Sequence, residues 1–214
     1  MTRPRSPGRP AGDAQAQRER LLDAALASFA KTGINASSLR GIAESAGVTP
    51  ALVNYYFGSK QSLVEAVFLE RVRPLISTVT EQVRESGDDL RSMVATLVGS
   101  LNQSLTQNPW LPPLWVREVL CEGGELRELW TNQIGPMIPA MLAARFVAAQ
   151  ARHALNPDLN PRLLVVSLFA LVMLPHAAAS VLRGIFPDTD LRNAALTEHT
   201  LALLERGMET SDES

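Results

Sequence analysis

The chain contains little of the residues on which catalytic and metal sites depend, with one cysteine and three histidines among its 214 residues. Cys121 cannot form a disulfide within the chain, which fits a reducing cytoplasm. His153, His176 and His199 lie far apart in sequence, and no spacing typical of a zinc site, a serine nucleophile or a phosphate-binding loop occurs. The sequence therefore predicts no metal, no cofactor and no catalytic residue. An enzyme, the main alternative class, would need distant residues to converge in space.

Strand-like alternation and internal repeats are also absent, and the first ten residues lack the apolar core of a secretory signal peptide. Apolar residues recur instead at helical spacing, between turns rich in glycine, proline and asparagine. These patterns predict an all-α chain. Beyond the first third, the predicted helices are 90–107, 112–121, 125–153 with a break near 135–136, 161–185 and 190–208.

Residues 37–57 have the pattern of two short helices around a glycine turn. Ser37 or Ser38 can cap the first helix, and Gly47 can adopt the left-handed conformation that ends it. Thr49 then stands as a second N-cap, followed by Pro50 at the first helical position, where a missing N–H does no harm. This arrangement is typical of a helix-turn-helix, whose second helix enters the major groove of DNA.

Charge is distributed unevenly along the chain. Residues 1–73 carry ten basic and six acidic side chains, whereas residues 74–214 carry ten basic and sixteen acidic ones. Both lysines, Lys31 and Lys60, lie in the basic segment. A positive head followed by an acidic body suits a protein that presents one end to phosphates.

Several polar and small side chains of this head are candidates for contact with DNA. Asn54 can pair bidentately with adenine, and Pro50 and Ala51 can touch thymine methyl groups. Ser38, Arg40 and Lys60 are expected to bind phosphates without reading sequence. Tyr56 has two interpretations, a phosphate contact or a core ring. The predicted DNA-binding residues outside the N-terminal arm are Ser38, Arg40, Thr49, Pro50, Ala51, Asn54, Tyr55, Tyr56 and Lys60.

The N-terminal arm carries Arg3, Arg5 and Arg9 among prolines and glycines that disfavour a helix. One interpretation is that these arginines enter an A·T-rich minor groove, where a narrow width concentrates negative potential. The other is a solvated leader without a role.

Residues 15–75 resemble the TetR/AcrR family of bacterial transcriptional regulators, and the match includes the ending Tyr55-Tyr56-Phe57-Gly58-Ser59-Lys60. The resemblance implies a DNA-binding head, a helix that links this head to a ligand-binding body, and a homodimer formed through the last two helices. It favours a repressor. Gly41 and Pro50 depart from the family, because relatives often have an acidic residue at the first position and a basic one at the second.

Residues 163–182 contain no formal charge, and this run is long enough to cross a bilayer. A helix that is apolar on every side can equally be buried against its own body and a second subunit. We favour the dimer helix, and we therefore expect no membrane contact. Pro74 is expected to kink or interrupt the helix that begins near Lys60.

An effector site is expected in the body, where large and adaptable side chains can line an apolar pocket. The same residues at helical spacing are also typical of an ordinary core. Arg117, Arg145 and His176 can bind an acidic ligand, or each can pair with a local carboxylate. The predicted ligand-binding residues are Trp110, Trp115, Arg117, Met137, Met141, Arg145, Phe169, Met173 and His176.

Together these features predict a flexible arm over 1–14, a DNA-binding domain over 15–75 with its motif at 38–57, an effector-binding and dimerisation domain over 76–208, and a disordered acidic tail over 209–214. The predicted function is a cytoplasmic, homodimeric regulator that binds a near-palindromic operator and is released by a small apolar or amphipathic effector. A membrane-tethered regulator and a helical adaptor that has lost DNA binding are the alternatives.

Overall fold

The structure is a computed structural model that describes residues 11–134 and 137–209. The described chain is helical throughout, with no strand among these residues. The predicted all-α class is therefore confirmed. The chain divides into two compact units, which meet in sequence between Arg71 and Val72. The predicted tail residues after 209 and the predicted break at 135–136 lie outside the described residues.

The described residues of the first unit form four α-helices, and a π-helical turn follows the last of them. Their bounds are α1 Ala11–Thr32, α2 Leu39–Ser45, α3 Pro50–Phe57, α4 Lys60–Val67 and the π-turn Phe68–Val72. Helix α1 packs against α2 and α4, and α3 packs against α2 and α4. The fully buried side chains of Leu22, Phe29, Ile42, Val53 and Phe68 form the core of this unit.

Local capping explains where the short helices begin. The Ser38 hydroxyl accepts a 3.0 Å hydrogen bond from the backbone N–H of Gly41, and the Ser59 hydroxyl accepts one of 3.0 Å from Ser62. Thr49 occupies the N-cap position of α3, but its side chain makes no capping bond. The predicted N-cap position of Thr49 is therefore confirmed, although its hydroxyl does not cap, and Pro50 occupies the first turn as predicted.

Helix α1 begins within the stretch 1–14 that was predicted to be a flexible arm. It begins at Ala11, so residues 11–14 are helical rather than part of a flexible arm. As predicted, the helix that begins at Lys60 is interrupted near Pro74: it passes into the π-turn Phe68–Val72, and α5 begins at Arg73 with Pro74 in its first turn. Pro74 has no N–H for the carbonyl of Glu70, and this carbonyl accepts a 3.3 Å bond from the Arg71 guanidinium.

In the second unit, the residues that the structure describes form eight α-helices and a second π-turn. Their bounds are α5 Arg73–Glu85, α6 Leu90–Gln107, α7 Leu111–Trp115, the π-turn Val116–Leu120, α8 Arg127–Gln133, α9 Met137–Ala151, α10 Pro161–Ala177, α11 Ala179–Ile185 and α12 Asn193–Met208. Helix α6 lies at the centre, because it packs against α5, α9, α10 and α12. It also begins and ends at the predicted residues.

The predicted helix 161–185 is divided at Ala178 into α10 and α11. Pro175 lies inside α10 and cannot donate to the preceding turn, and the helix ends two residues later. The two helices are bent by 72°. Over the described residues, no unbroken helix is long and apolar enough to cross a bilayer, although two bent helix pairs reach that length and composition together.

Helix α12 begins three residues later than predicted. Asp190 accepts hydrogen bonds of 2.9 Å from the backbone N–H of Arg192 and 2.7 Å from its guanidinium. This local turn competes with the helix, as short carboxylates do before a helix N-terminus. The Arg192 bonds lower the pKa of the Asp190 carboxyl to about 2.

Candidate DNA-binding surface and effector cavity

Helix α3 has one buried face and one exposed face. Val53 and Phe57 are buried, whereas Pro50, Ala51 and Asn54 are exposed. The turn before it passes through Gly47, whose φ of +67° is one that only glycine adopts without strain. The buried pair orients the helix so that its small and amide side chains face outward, which is the geometry of a helix that reads base edges.

The two tyrosines of α3 differ in their surroundings. Tyr55 is 80% exposed, and its ring meets the Tyr56 ring edge-on with 5.3 Å between centroids. The Tyr56 hydroxyl donates a 3.0 Å hydrogen bond to the carbonyl of Ala14, near the start of α1. The Tyr56 ring is half-buried and its hydroxyl has a partner, while its phosphate contact stays a prediction. Tyr55 is the tyrosine open to a partner.

The predicted phosphate-binding residues lie at the ends of neighbouring helices. Ser38 caps α2, and Arg40 is exposed in its first turn, where its guanidinium lies 3.0 Å from the Glu44 carboxylate. Lys60 begins α4 and donates a 3.1 Å hydrogen bond to the carbonyl of Asn35. Arg40 and Lys60 therefore both have a partner in this structure, which a phosphate would have to share or replace.

A network of ion pairs holds α1 against the first π-turn, and sequence reasoning missed it. Arg18 binds both carboxylate oxygens of Glu70 at 2.6 Å, and its guanidinium lies 5.3 Å from the centroid of the Phe57 ring. Arg71 reaches Glu19 at 2.6 Å and Asp23 at 2.9 Å. The hydrogen bonds from Arg18 hold the pKa of the Glu70 carboxyl below its ordinary value. The pairs are 48 to 52 residues apart, so no local pattern could reveal them.

The N-terminal arginines Arg3, Arg5 and Arg9 lie outside the described residues. Their predicted entry into a minor groove stays a prediction.

A large apolar cavity lies within the second unit. Its volume is about 580 Å³, within the range of small-molecule sites. Helices α5 to α10 all contribute to its wall. Among the side chains that line it are Leu75, Leu101, Trp130, Ile138, Ala143 and Val165. Arg162, at the second position of α10, is the one charged residue on this wall among the described residues.

Three of the predicted ligand-binding residues line this cavity: Trp115, Phe169 and Met173. The Trp115 ring meets the Phe169 ring edge-on at 5.0 Å and the Trp130 ring at 6.1 Å. The side chain of Met137 lies outside the described residues. Sequence reasoning missed Trp130, Arg162 and the aliphatic wall of α5 and α6, because helical spacing marks an apolar face without saying which cavity it faces.

The remaining predicted ligand residues do not line the cavity: Trp110, Arg117, Met141, Arg145 and His176. Arg145 donates to the carbonyls of Val83 and Gly87, at 3.4 and 2.9 Å, and so ties α9 to the end of α5. His176 forms a 2.9 Å hydrogen bond with the buried amide oxygen of Asn102. Desolvation lowers the pKa of His176, which favours the neutral ring.

Among the described residues, no three His, Cys, Asp or Glu side chains come together as a metal site. Buried Glu118 is used structurally, since its carboxylate accepts a 3.2 Å hydrogen bond from the backbone N–H of Glu125. Cys121 is exposed.

Comparison with known proteins identifies the first unit. The family model described as "Bacterial regulatory proteins, tetR family" matches residues 21–67, which contain α2, α3 and α4. The chain belongs to the TetR/AcrR family. It is accordingly a DNA-binding transcriptional regulator, and the exposed face of α3 lies on the second helix of the family's helix-turn-helix.

Two curated TetR-family relatives illustrate how far the likeness extends. The HTH-type transcriptional regulator UidR of Escherichia coli is 26% identical over 155 residues, which are 69% of this chain and 74% of UidR. The HTH-type transcriptional regulator BetI of Vibrio parahaemolyticus is 33% identical over 73 residues, 34% of this chain and 37% of BetI.

Solved structures share the fold over almost the whole chain. The ketosteroid transcriptional regulator KstR2 of Mycobacterium tuberculosis aligns with a TM-score of 0.70 at 19% identity, covering 94% of this chain and 99% of KstR2. FadR of Bacillus subtilis, in complex with stearoyl-CoA, aligns with a TM-score of 0.69 at 21% identity, covering 90% of this chain and 100% of FadR. The helical body is therefore of the same architecture as those of other TetR-family regulators.

Proposed function

We propose that this chain is a ligand-responsive repressor that binds a near-palindromic operator as a homodimer. A small apolar or amphipathic effector in the body releases it from DNA. The observation that carries the proposal is the pairing, in one TetR-family chain, of an exposed recognition face on α3 with an apolar cavity of about 580 Å³. Because the DNA of a bacterium lies in its cytoplasm, the proposal places the protein there.

On the operator, contacts to bases read the sequence, whereas contacts to phosphates position the protein. Asn54 is the proposed base contact, with Pro50 and Ala51 against thymine methyl groups. Thr49 and Tyr55, both exposed, stand at the ends of this face. Ser38, Arg40 and Lys60 are the proposed phosphate contacts, while Tyr56 positions α3 through its bond to Ala14.

An exposed apolar stripe on α10 supports the homodimer. Leu163, Val166 and Leu174 recur at helical spacing, and each is more than half exposed in the single chain. Contiguous apolar surface of this kind is typical of a subunit interface. A dimer is also what the DNA chemistry requires, because one short recognition helix reads too few bases.

The apolar cavity supports an effector that is itself mostly apolar. FadR of Bacillus subtilis was crystallised with stearoyl-CoA, and KstR2 is described as a ketosteroid regulator. Binding of effector and operator must oppose each other reciprocally, because linkage makes each lower the affinity of the other by one factor.

The first test is selection of genomic DNA fragments by the purified protein, followed by titration of the best fragment over a salt series. We expect a near-palindromic site with a steep salt dependence. Asn54→Ala should weaken this binding by about tenfold or more, as expected when a bidentate base contact is lost. Asn132→Ala changes an exposed asparagine of α8 and is the matched control.

Two results would overturn the proposal. A chain that binds no fragment would be an adaptor without DNA binding, and equal operator affinity with and without a verified ligand would exclude release by an effector. Sedimentation tests the dimer: Leu174→Glu should give a monomer, whereas Val147→Glu, at an apolar position on α9 that is also more than half exposed, should not.

A further inference from the structure

A second, smaller pocket adjoins the apolar cavity of the body. Its volume is about 150 Å³, and Ile76, Ile134 and Ile138 line both spaces. The two spaces therefore share part of one wall within the second unit. A ligand that occupied both would have to pass these three side chains.

The smaller pocket carries several polar and charged side chains, whereas the wall of the cavity is almost wholly apolar. Beside the shared isoleucines, its wall consists of Arg73, Ser77, Thr80, Glu81, Arg84 and Gln133. Arg84 is paired with the Glu81 carboxylate at 2.6 Å. The exposed guanidinium of Arg73 forms no hydrogen bond or ion pair with any residue that the structure describes. One positive charge in this pocket is thus left without a compensating carboxylate.

The apolar cavity would reject a charged group. No described carboxylate lines it, and its one charged wall residue, Arg162, is exposed. A cation inside it would have no partner, and an anion would have none away from Arg162, so burying either charge there would cost several kcal/mol. A molecule with an anion at one end and a hydrocarbon chain at the other can satisfy both spaces at once.

We propose that the effector is a single-chain fatty acid whose tail lies in the apolar cavity and whose carboxylate binds Arg73. This rests on the proposed function and names its ligand class. A carboxylate can form two parallel hydrogen bonds with the Arg73 guanidinium, and the smaller pocket has room for this group and several waters.

Arg73 is favoured over Arg162 by its place in the chain. Arg73 is the first residue of α5 and directly follows the π-turn Phe68–Val72, and Ile76, which lines both spaces, lies one turn later. A ligand held at both positions contacts the first turn of the body. Arg162 instead neighbours Leu163 and Val166, on the stripe that we propose a second subunit covers.

Tryptophan fluorescence provides a test that does not depend on DNA. Trp115 and Trp130 line the cavity, so a bromine at the end of a bound tail should quench their emission. The probes are ω-bromoundecanoate and its uncharged analogue, ω-bromoundecanol. With the full chain, we expect both to quench and the acid to bind more tightly. Arg73→Gln should weaken binding of the acid about tenfold and leave the alcohol unchanged.

Arg152→Gln, at an exposed arginine outside both spaces, is the matched control, and urea unfolding verifies that each variant is folded. Loss of acid affinity in Arg162→Gln rather than Arg73→Gln would overturn the placement of the carboxylate. Tighter binding of lauroyl-CoA than of laurate would overturn the choice of the free acid. If neither bromo probe quenches in a protein that still binds its operator, the ligand class is wrong while the DNA-binding function stands.

Discussion

Arg18 on α1 and Glu70 in the first π-turn form a bidentate ion pair, with both N···O distances at 2.6 Å. The two residues are 52 positions apart, so the pair closes the first unit between its first helix and its last turn. Both side chains are partly shielded, at 26% and 35% exposure. Two parallel charge-assisted bonds fix geometry more strictly than a single surface contact does.

Removing this pair should destabilise the first unit. We expect Glu70→Gln to lower the free energy of unfolding by about 1 kcal/mol at neutral pH, since the remaining amide cannot replace the charged partner. Urea unfolding measures this. Arg84→Gln, which breaks the more exposed pair with Glu81, is the comparison and should cost less. An equal loss of unfolding free energy in the two variants would show that the bidentate geometry adds no stability.

The same pair should make stability depend on pH. Arg18 lowers the pKa of Glu70 from its ordinary 4.5, so the folded state holds the carboxylate ionised more strongly than the unfolded chain does. Its contribution is complete above the unfolded pKa and is lost as the pH falls through the lower folded value. The stability difference between the wild type and Glu70→Gln should therefore shrink on acidification below about pH 4.5.

The two serine caps should matter more than the threonine between them. Ser59→Ala removes a bond to the N–H of Ser62 and should cost about 1 kcal/mol of unfolding free energy. Thr49→Ala removes no capping bond and should cost less than about 0.5 kcal/mol. Thermal unfolding of both variants checks this, and a larger cost for Thr49→Ala would contradict the described geometry.

Glu44 should weaken DNA binding through Arg40. Its carboxylate lies 3.0 Å from the Arg40 guanidinium, on the helix that we propose faces the phosphates. Glu44→Gln removes a negative charge and frees this guanidinium, so operator affinity should rise and the salt dependence should steepen by about one phosphate contact. Glu128→Gln, a charge-matched change on α8, should do neither. An unchanged salt slope for Glu44→Gln would place Arg40 away from the phosphates.

His176 should oppose stability at acidic pH. Desolvation lowers its pKa below the ordinary 6.5, so the unfolded chain takes up this proton before the folded chain does. The free energy of unfolding should then fall as the pH drops below about 6.5. His176→Gln keeps a donor for Asn102 and removes this titration. Unfolding from about pH 7.5 to about pH 5.5 should show a smaller decline for the variant than for the wild type.

Much of the head could be predicted from sequence because its signals are local. Serine caps, the left-handed Gly47 and the proline start of α3 act within one or two turns, and the apolar spacing of Val53 and Phe57 orients the helix. The candidate face at Pro50, Ala51 and Asn54 followed from the same periodicity. The family match over residues 21–67 covers this locally specified region.

The sequence alone thus determined the helical class, the bounds of α6 and the outward face of α3, since these depend on contacts between residues three or four apart. Tertiary structure decided which aromatic residues line the cavity. It also decided that the Tyr56 hydroxyl donates to the carbonyl of Ala14 and that Arg18 forms an ion pair with Glu70. Periodicity identifies a buried face but not the neighbour that covers it. That neighbour is chosen by the packing of whole helices, which no single stretch of sequence contains.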